Sequence, residues 1–192
     1  MLHLEIKNNV PIRFKQDCHV LMLIDRSVGN SNKGSKRWIS KIITFNEVEF
    51  NIAVENLLAL QNHLSDPGIR LYCSLNSRNL KSAILYFKHT IIDIPESYEQ
   101  KFYGKLNDRF CSALMQPANR DSSLFLLDAD TKDVRLIDGF FSNNTNIEII
   151  YSYETPNGHH YVVNPFNSNI QFPKEITLIK DGLVLLNWIE KD

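Results

Sequence analysis

The stretch SSLFLLDADTKD, Ser122–Asp133, decides how the second half of the chain is read. Its apolar run Leu124–Leu127 suits a central strand covered on both faces. Alternate side chains on a strand point the same way, so Asp128 and Asp130 should project together from the strand's end. Like charges held that close repel unless something positive sits between them. A divalent cation, Mg2+ or Mn2+, is the usual partner of such oxygen ligands. The plainer reading is a polar strand end running into an acidic turn, and Asp-x-Asp is a common string.

A second stretch downstream, YETPNGHHYVVNPF (Tyr153–Phe166), carries a Pro-Asn-Gly turn into two adjacent histidines and a short strand. Neighbouring residues on a strand face opposite ways, which argues against His159 and His160 sharing a zinc ion. Around these stretches the pattern is mixed. HVLMLID (19–25) and SKIITF (40–45) read as strands, Glu47 to about Leu64 as a helix ended by SDPG, and IRLYCSL (69–75) as a strand with one buried face. Asn76 or Ser77 is expected to cap a helix running to about His89, and a third helix is expected over roughly Ser97–Met115. Beyond Pro117 the reading is strands alone: Leu124–Leu127, Val134–Ile137, Ile147–Tyr153, Tyr161–Val163, Ile176–Ile179 and Leu183–Ile189. The expected fold class is therefore α/β, one compact domain over 1–192. An α/β lobe (1–117) would pack against a strand-rich lobe (118–192) with the character of an RRM-like sheet.

Composition bounds the function. The chain has 192 residues, 43% hydrophobic and 22% charged, which is ordinary for a globular protein. No run approaches the roughly 18 apolar residues of a membrane span, and MLHLEIKNN does not read as a signal peptide, so a cytoplasmic protein without a membrane partner is expected. The three scattered cysteines, Cys18, Cys73 and Cys111, point to a reducing compartment and away from a Cys-based zinc site. A net charge of −1 exerts no global pull on nucleic acid, but the segment 26–41 holds Arg26, Lys33, Lys36, Arg37 and Lys41 with no acidic residue, and Trp38 among them. Such a basic loop can grip a phosphate backbone while the aromatic stacks on a base; its plainer reading is a solvated hairpin tip. Neither a nucleophile elbow nor a Walker phosphate loop is present; GNSNKGSK (29–36) lacks the spacing.

Taken together, the apolar strand ending in Asp128 and Asp130 and the strand entered through Thr155-Pro156-Asn157-Gly158-His159-His160 resemble the archaeo-eukaryotic primase superfamily, the primase-polymerases. The resemblance implies metal-dependent nucleotidyl transfer. Asp128, Asp130 and, in ITLIKDGLVLLNW, Asp181 would hold two Mg2+ or Mn2+ ions. His160 would contact the phosphates of a nucleoside triphosphate, and Asn157 and Gly158 would let the backbone approach it, with His159 structural. Arg70 or Arg78 would steer phosphate, Arg78 from a helix N-terminus. Implied partners are a single-stranded nucleic-acid template and a replication or mobile-element protein. Asp181 also reads as the polar corner of a KDG hairpin, and Asp133, Asp138 and Glu148 stand as alternative acidic ligands. The alternative function is a non-catalytic module, degenerate primase-like or RRM-like, binding nucleic acid or protein through the basic loop and Trp38, Tyr151, Tyr153 or Tyr161.

Overall fold

The computed structural model of the chain describes residues 7–8, 18–27, 37–92 and 104–190. It is mixed α/β, with two four-stranded antiparallel sheets and, among the described residues, four α-helices. In chain order the elements are β1 (His19–Asp25), β2 (Arg37–Thr44), α1 (Glu47–Leu64), β3 (Ile69–Ser74), α2 (Leu80–Ile92), α3 (Leu106–Leu114), β4 (Phe125–Ala129), α4 (Val134–Asn143), β5 (Ile149–Glu154), β6 (His159–Val163), β7 (Ile176–Ile179) and β8 (Leu183–Trp188). The first sheet has the order β2-β1-β3-β8 and the second β5-β6-β4-β7.

β1 is buried along its whole length, as its unbroken apolar run requires of a central strand. Helix α1 covers one face of this sheet. Its start is capped by Asn46, which accepts from the Glu49 amide at 2.9 Å, while the Glu49 carboxylate accepts from the Phe45 amide just before the cap at 2.9 Å. It ends at Ser65, in the left-handed region at φ 51°. Buried Gln61 ties the helix to the sheet, donating to the Ile69 carbonyl and accepting from the Asn187 amide, both at 2.8 Å.

The opposite face of the first sheet meets the second sheet. Leu126, Tyr153 and Val162 of the second sheet share one core with Val20, Met22, Tyr72 and Val184–Leu186 of the first. Alternation sends Phe125, Leu127 and Ala129 the other way, where they pack with Ile137 and Phe140 of α4. The Asn8 amide joins the sheets directly, donating to the carbonyls of Glu154 and Leu185.

Several expectations are corrected. Val134–Asn143 is a helix, not a strand: Asp133 caps it, accepting from the Arg135 amide at 3.0 Å, and Ile137 and Phe140 lie one turn apart on its buried face. Helix α2 begins at Leu80, capped by Asn79, whose side chain accepts from the Ser82 amide. Asn76 instead is fully buried and stitches the incoming segment of β4, bonding the Leu124 amide and carbonyl. Of the third predicted helix the described part is Leu106–Leu114, and residues 93–103 lie outside the described set. Finally, β7 and β8 form no hairpin. They belong to different sheets, and Asp181 stands where the chain passes from one to the other.

Candidate functional site

A cleft of about 420 Å³ opens between the two sheets. From the first sheet Ile24, Arg70, Tyr72 and Leu185 line it, with Arg26 just past β1. From the second come Leu126, Asp128, Asp130 and His160, and Thr155, Pro156 and Asn157 of the β5–β6 turn close one side. The strand alternation read from LFLLDAD is thus present: Leu126, Asp128 and Asp130 share the cleft face.

Register explains the site's centre. Asp128 lies opposite His160 across the β4–β6 pair, and His160 opposite Tyr153 across β5–β6, so the three form one row across the sheet. The imidazole Nε2 is 3.0 Å from Asp128 Oδ1, and Nδ1 is 2.8 Å from the Tyr153 hydroxyl. That hydroxyl also accepts from the Leu185 amide of the facing sheet at 3.2 Å. Tyr153 is only 6% exposed, and burial raises its phenol pKa well above the usual value. It is therefore a neutral O–H. With both ring nitrogens engaged, His160 has none left for a phosphate, the role implied for it by the resemblance.

Gly158 serves a different approach from the one expected. A methyl group there would overlap the Ala129 carbonyl oxygen and stand 2.7 Å from the Thr131 amide nitrogen. The missing side chain lets the turn lie against the end of β4, and it is Asn157, not Gly158, that lines the cleft. The turn closes on itself through the Thr155 amide and the Gly158 carbonyl at 2.8 Å.

Asp181 lines the far end of the cleft but is already committed. Both its oxygens accept from the Arg78 guanidinium at 2.8 Å, and Asn76 adds a third bond at 3.3 Å. Arg78 is fully buried, so it is not the phosphate-steering residue expected from its position before α2. In the antiparallel β4–β7 pair Thr177 stands opposite Asp128. Asp181 follows β7 in a bend, so its place is set by the Arg78 pair and not by strand spacing. A cation placed against Asp181 would stand beside the Arg78 guanidinium, which already takes both carboxylate oxygens. The three-aspartate, two-ion centre therefore does not fit these residues; among those described, no group of three metal-ligating side chains converges. The alternative acids do not supply it: Asp133 caps α4, Asp138 is exposed, and Glu148 accepts from Asn164 at 2.6 Å.

The basic segment divides. Lys33 and Lys36 lie outside the described residues. Lys41 packs its ammonium 4.7 Å from the Trp38 ring and pairs with Asp108 of α3 at 3.0 Å, which uses its charge locally. Arg37 and Trp38 are exposed at the start of β2, away from the cleft lining. Arg26 does reach the cleft, donating to the Tyr72 hydroxyl at 3.1 Å. Arg70, opposite Ile24 in the register, joins it there, and its Nε is buried without a hydrogen-bond partner. Among the described residues neither arginine forms an ion pair, and neither does Asp130. Tyr151 and Tyr161 do not line the cleft. The three cysteines are buried thiols, and burial pushes Cys73 up to about 12 and Cys111 up to about 11, so neither of these two is an activated nucleophile. No described helix is long and apolar enough to cross a membrane.

Comparison of the chain with family models, with curated proteins and with solved structures gives no match.

Proposed function

We propose that the inter-sheet cleft binds a nucleoside triphosphate, as a binding module on a primase-polymerase-like scaffold with an RRM-like second sheet. The observation that carries this reading is the pairing of Arg26 and Arg70 on one wall with Asp128, Asp130 and Asn157 on the other, with no ion pair joining the two walls among the described residues. Opposite charges held apart across a cleft leave room for a ligand that has both anionic groups and hydrogen-bond donors. Phosphates suit guanidinium forks, and a cleft of this size falls within the range of small-molecule sites. Asp128 and Asp130 line the same cleft, and the resemblance of their stretch to the primase-polymerases favours a nucleotide over other anions.

Isothermal titration with ATP tests the reading. Wild type should bind at one site per chain. Arg70→Ala should weaken binding about tenfold, the value of one charge-assisted hydrogen bond of roughly 1.5 kcal/mol, and the more exposed Arg26→Ala should cost a few-fold. Unchanged affinity in the double variant would place the phosphates elsewhere. Nucleotidyl transfer is a second reading, favoured by Asp128 and Asp130 sharing the cleft. It requires primer extension on single-stranded template that is lost in Asp128→Ala.

A further inference from the structure

The Tyr153–His160–Asp128 row has a hydrogen-bond direction that the surrounding atoms impose. The Leu185 amide can only donate, so the Tyr153 oxygen accepts from it. The single phenol hydrogen then goes to His160 Nδ1, 2.8 Å away, which must accept. The ring hydrogen is left on Nε2, and it donates to Asp128 Oδ1 at 3.0 Å. The opposite tautomer would aim Nδ1–H at the Tyr153 oxygen, strand the buried phenol hydrogen and leave an unprotonated Nε2 facing a carboxylate. Burying unpaired polar groups in this way is costly. The edge-to-face contact between the Tyr153 and His160 rings, with centroids 5.1 Å apart, holds the same arrangement sterically.

We propose that Tyr153 is a positioning residue that fixes His160 as its Nε2–H tautomer, so that Asp128 presents its second oxygen to the cleft as an acceptor for a ligand hydroxyl. The inference rests on the nucleotide reading for its ligand but not for its tautomer. It names the ligand more closely: a phosphorylated molecule whose phosphates meet Arg26 and Arg70 while a sugar hydroxyl donates to Asp128. His160 acts through Asp128 and touches no phosphate.

Two measurements test it. In 15N-labelled protein without ligand, the His160 ring should show a protonated Nε2 and an unprotonated Nδ1, and Tyr153→Phe should give a mixture of tautomers. In titrations, ATP should bind wild type about fivefold more tightly than 2′,3′-dideoxy-ATP, the value of one hydrogen bond. That ratio should fall towards one in Tyr153→Phe. A protonated Nδ1 in wild type overturns the proposal, as does equal affinity for the two nucleotides. Wild type that binds neither nucleotide overturns the ligand assignment, while the tautomer stands or falls on the ring shifts alone. Should Tyr153→Phe fail to fold, the wild-type ring shifts and the wild-type ratio still decide.

Discussion

Asp181 gives both carboxylate oxygens to Arg78, and that commitment governs what the neighbouring cleft can hold. The Arg78 side chain is 0% exposed and that of Asp181 9%, so neither charge has water to fall back on if the other is removed. Removing one partner of a buried pair costs about 3 kcal/mol or more, because a charge is left buried and uncompensated. Asp181→Asn should accordingly lower the unfolding free energy in urea by about that amount. If Asp181 were a free metal ligand, the substitution would leave stability within about 0.5 kcal/mol, as at an ordinary surface site. Sequence reasoning found Asp181 and Arg78 separately, at positions 103 residues apart, and assigned both to ligands. Nothing local to KDG or NSRN announces a pairing over that distance, and it appears only once β8 is known to return to the first sheet. Tyr153 was more legible than the sequence reading made it. The TPNG turn places Glu154 opposite His159, and stepping back one residue on each strand sets Tyr153 against His160.

The β5–β6 hairpin illustrates how an element is positioned by what one residue lacks. Gly158 has no positive φ to explain it; its constraint is the backbone of β4 close by. The obstructing atoms are backbone atoms, which cannot swing aside. Gly158→Ala should therefore cost about 2 kcal/mol or more of stability, in the range of overpacking, and lift the turn that carries Asn157 away from the end of β4. Thermal unfolding beside ATP titration would check both parts; wild-type stability and affinity would mean that the turn is free to move. Helix α4 is the element that the sequence reading missed. VRLI, apolar at three of its four positions, is short enough to fit a strand or a helix equally, and length was the available arbiter. The signal was present in Asp133 as a cap and in Ile137, Phe140 and Phe141 at helical spacing. The strands β1 and β3 and helix α1 were legible as elements, because a continuous apolar run, an alternating one and a helically spaced stripe ended by SDPG each favour one periodicity. The single buried face expected of β3 is corrected, since Tyr72 and Ser74 are buried as well.

At the scale of the whole molecule, the strand β8 makes one core of two sheets. It leaves the second half of the sequence to pair with β3, and its Leu185 amide meets Tyr153 of the facing sheet. The cleft exists because the sheets pack through Leu126, Val162 and Leu185 and then part around charged residues, where Asp128 and Asp130 face Arg26 and Arg70. Strand period alone put Asp128 and Asp130 on one face, whereas their meeting with His160 was expected only from the resemblance, because it depends on the non-local β4–β6 pairing. Sequence reasoning named Arg70 beside Arg78 but had no means of choosing between them, because the placement of Arg70 at the cleft depends on how the two sheets pack. The central claim is that this cleft holds phosphate through guanidinium groups, without a two-ion centre built on three aspartates. The most direct test is ATP titration in EDTA against the same titration in Mg2+. The account predicts one ATP per chain in both, with affinities within a few-fold. Binding that appears only with divalent cation, and with two ions per nucleotide, would contradict it.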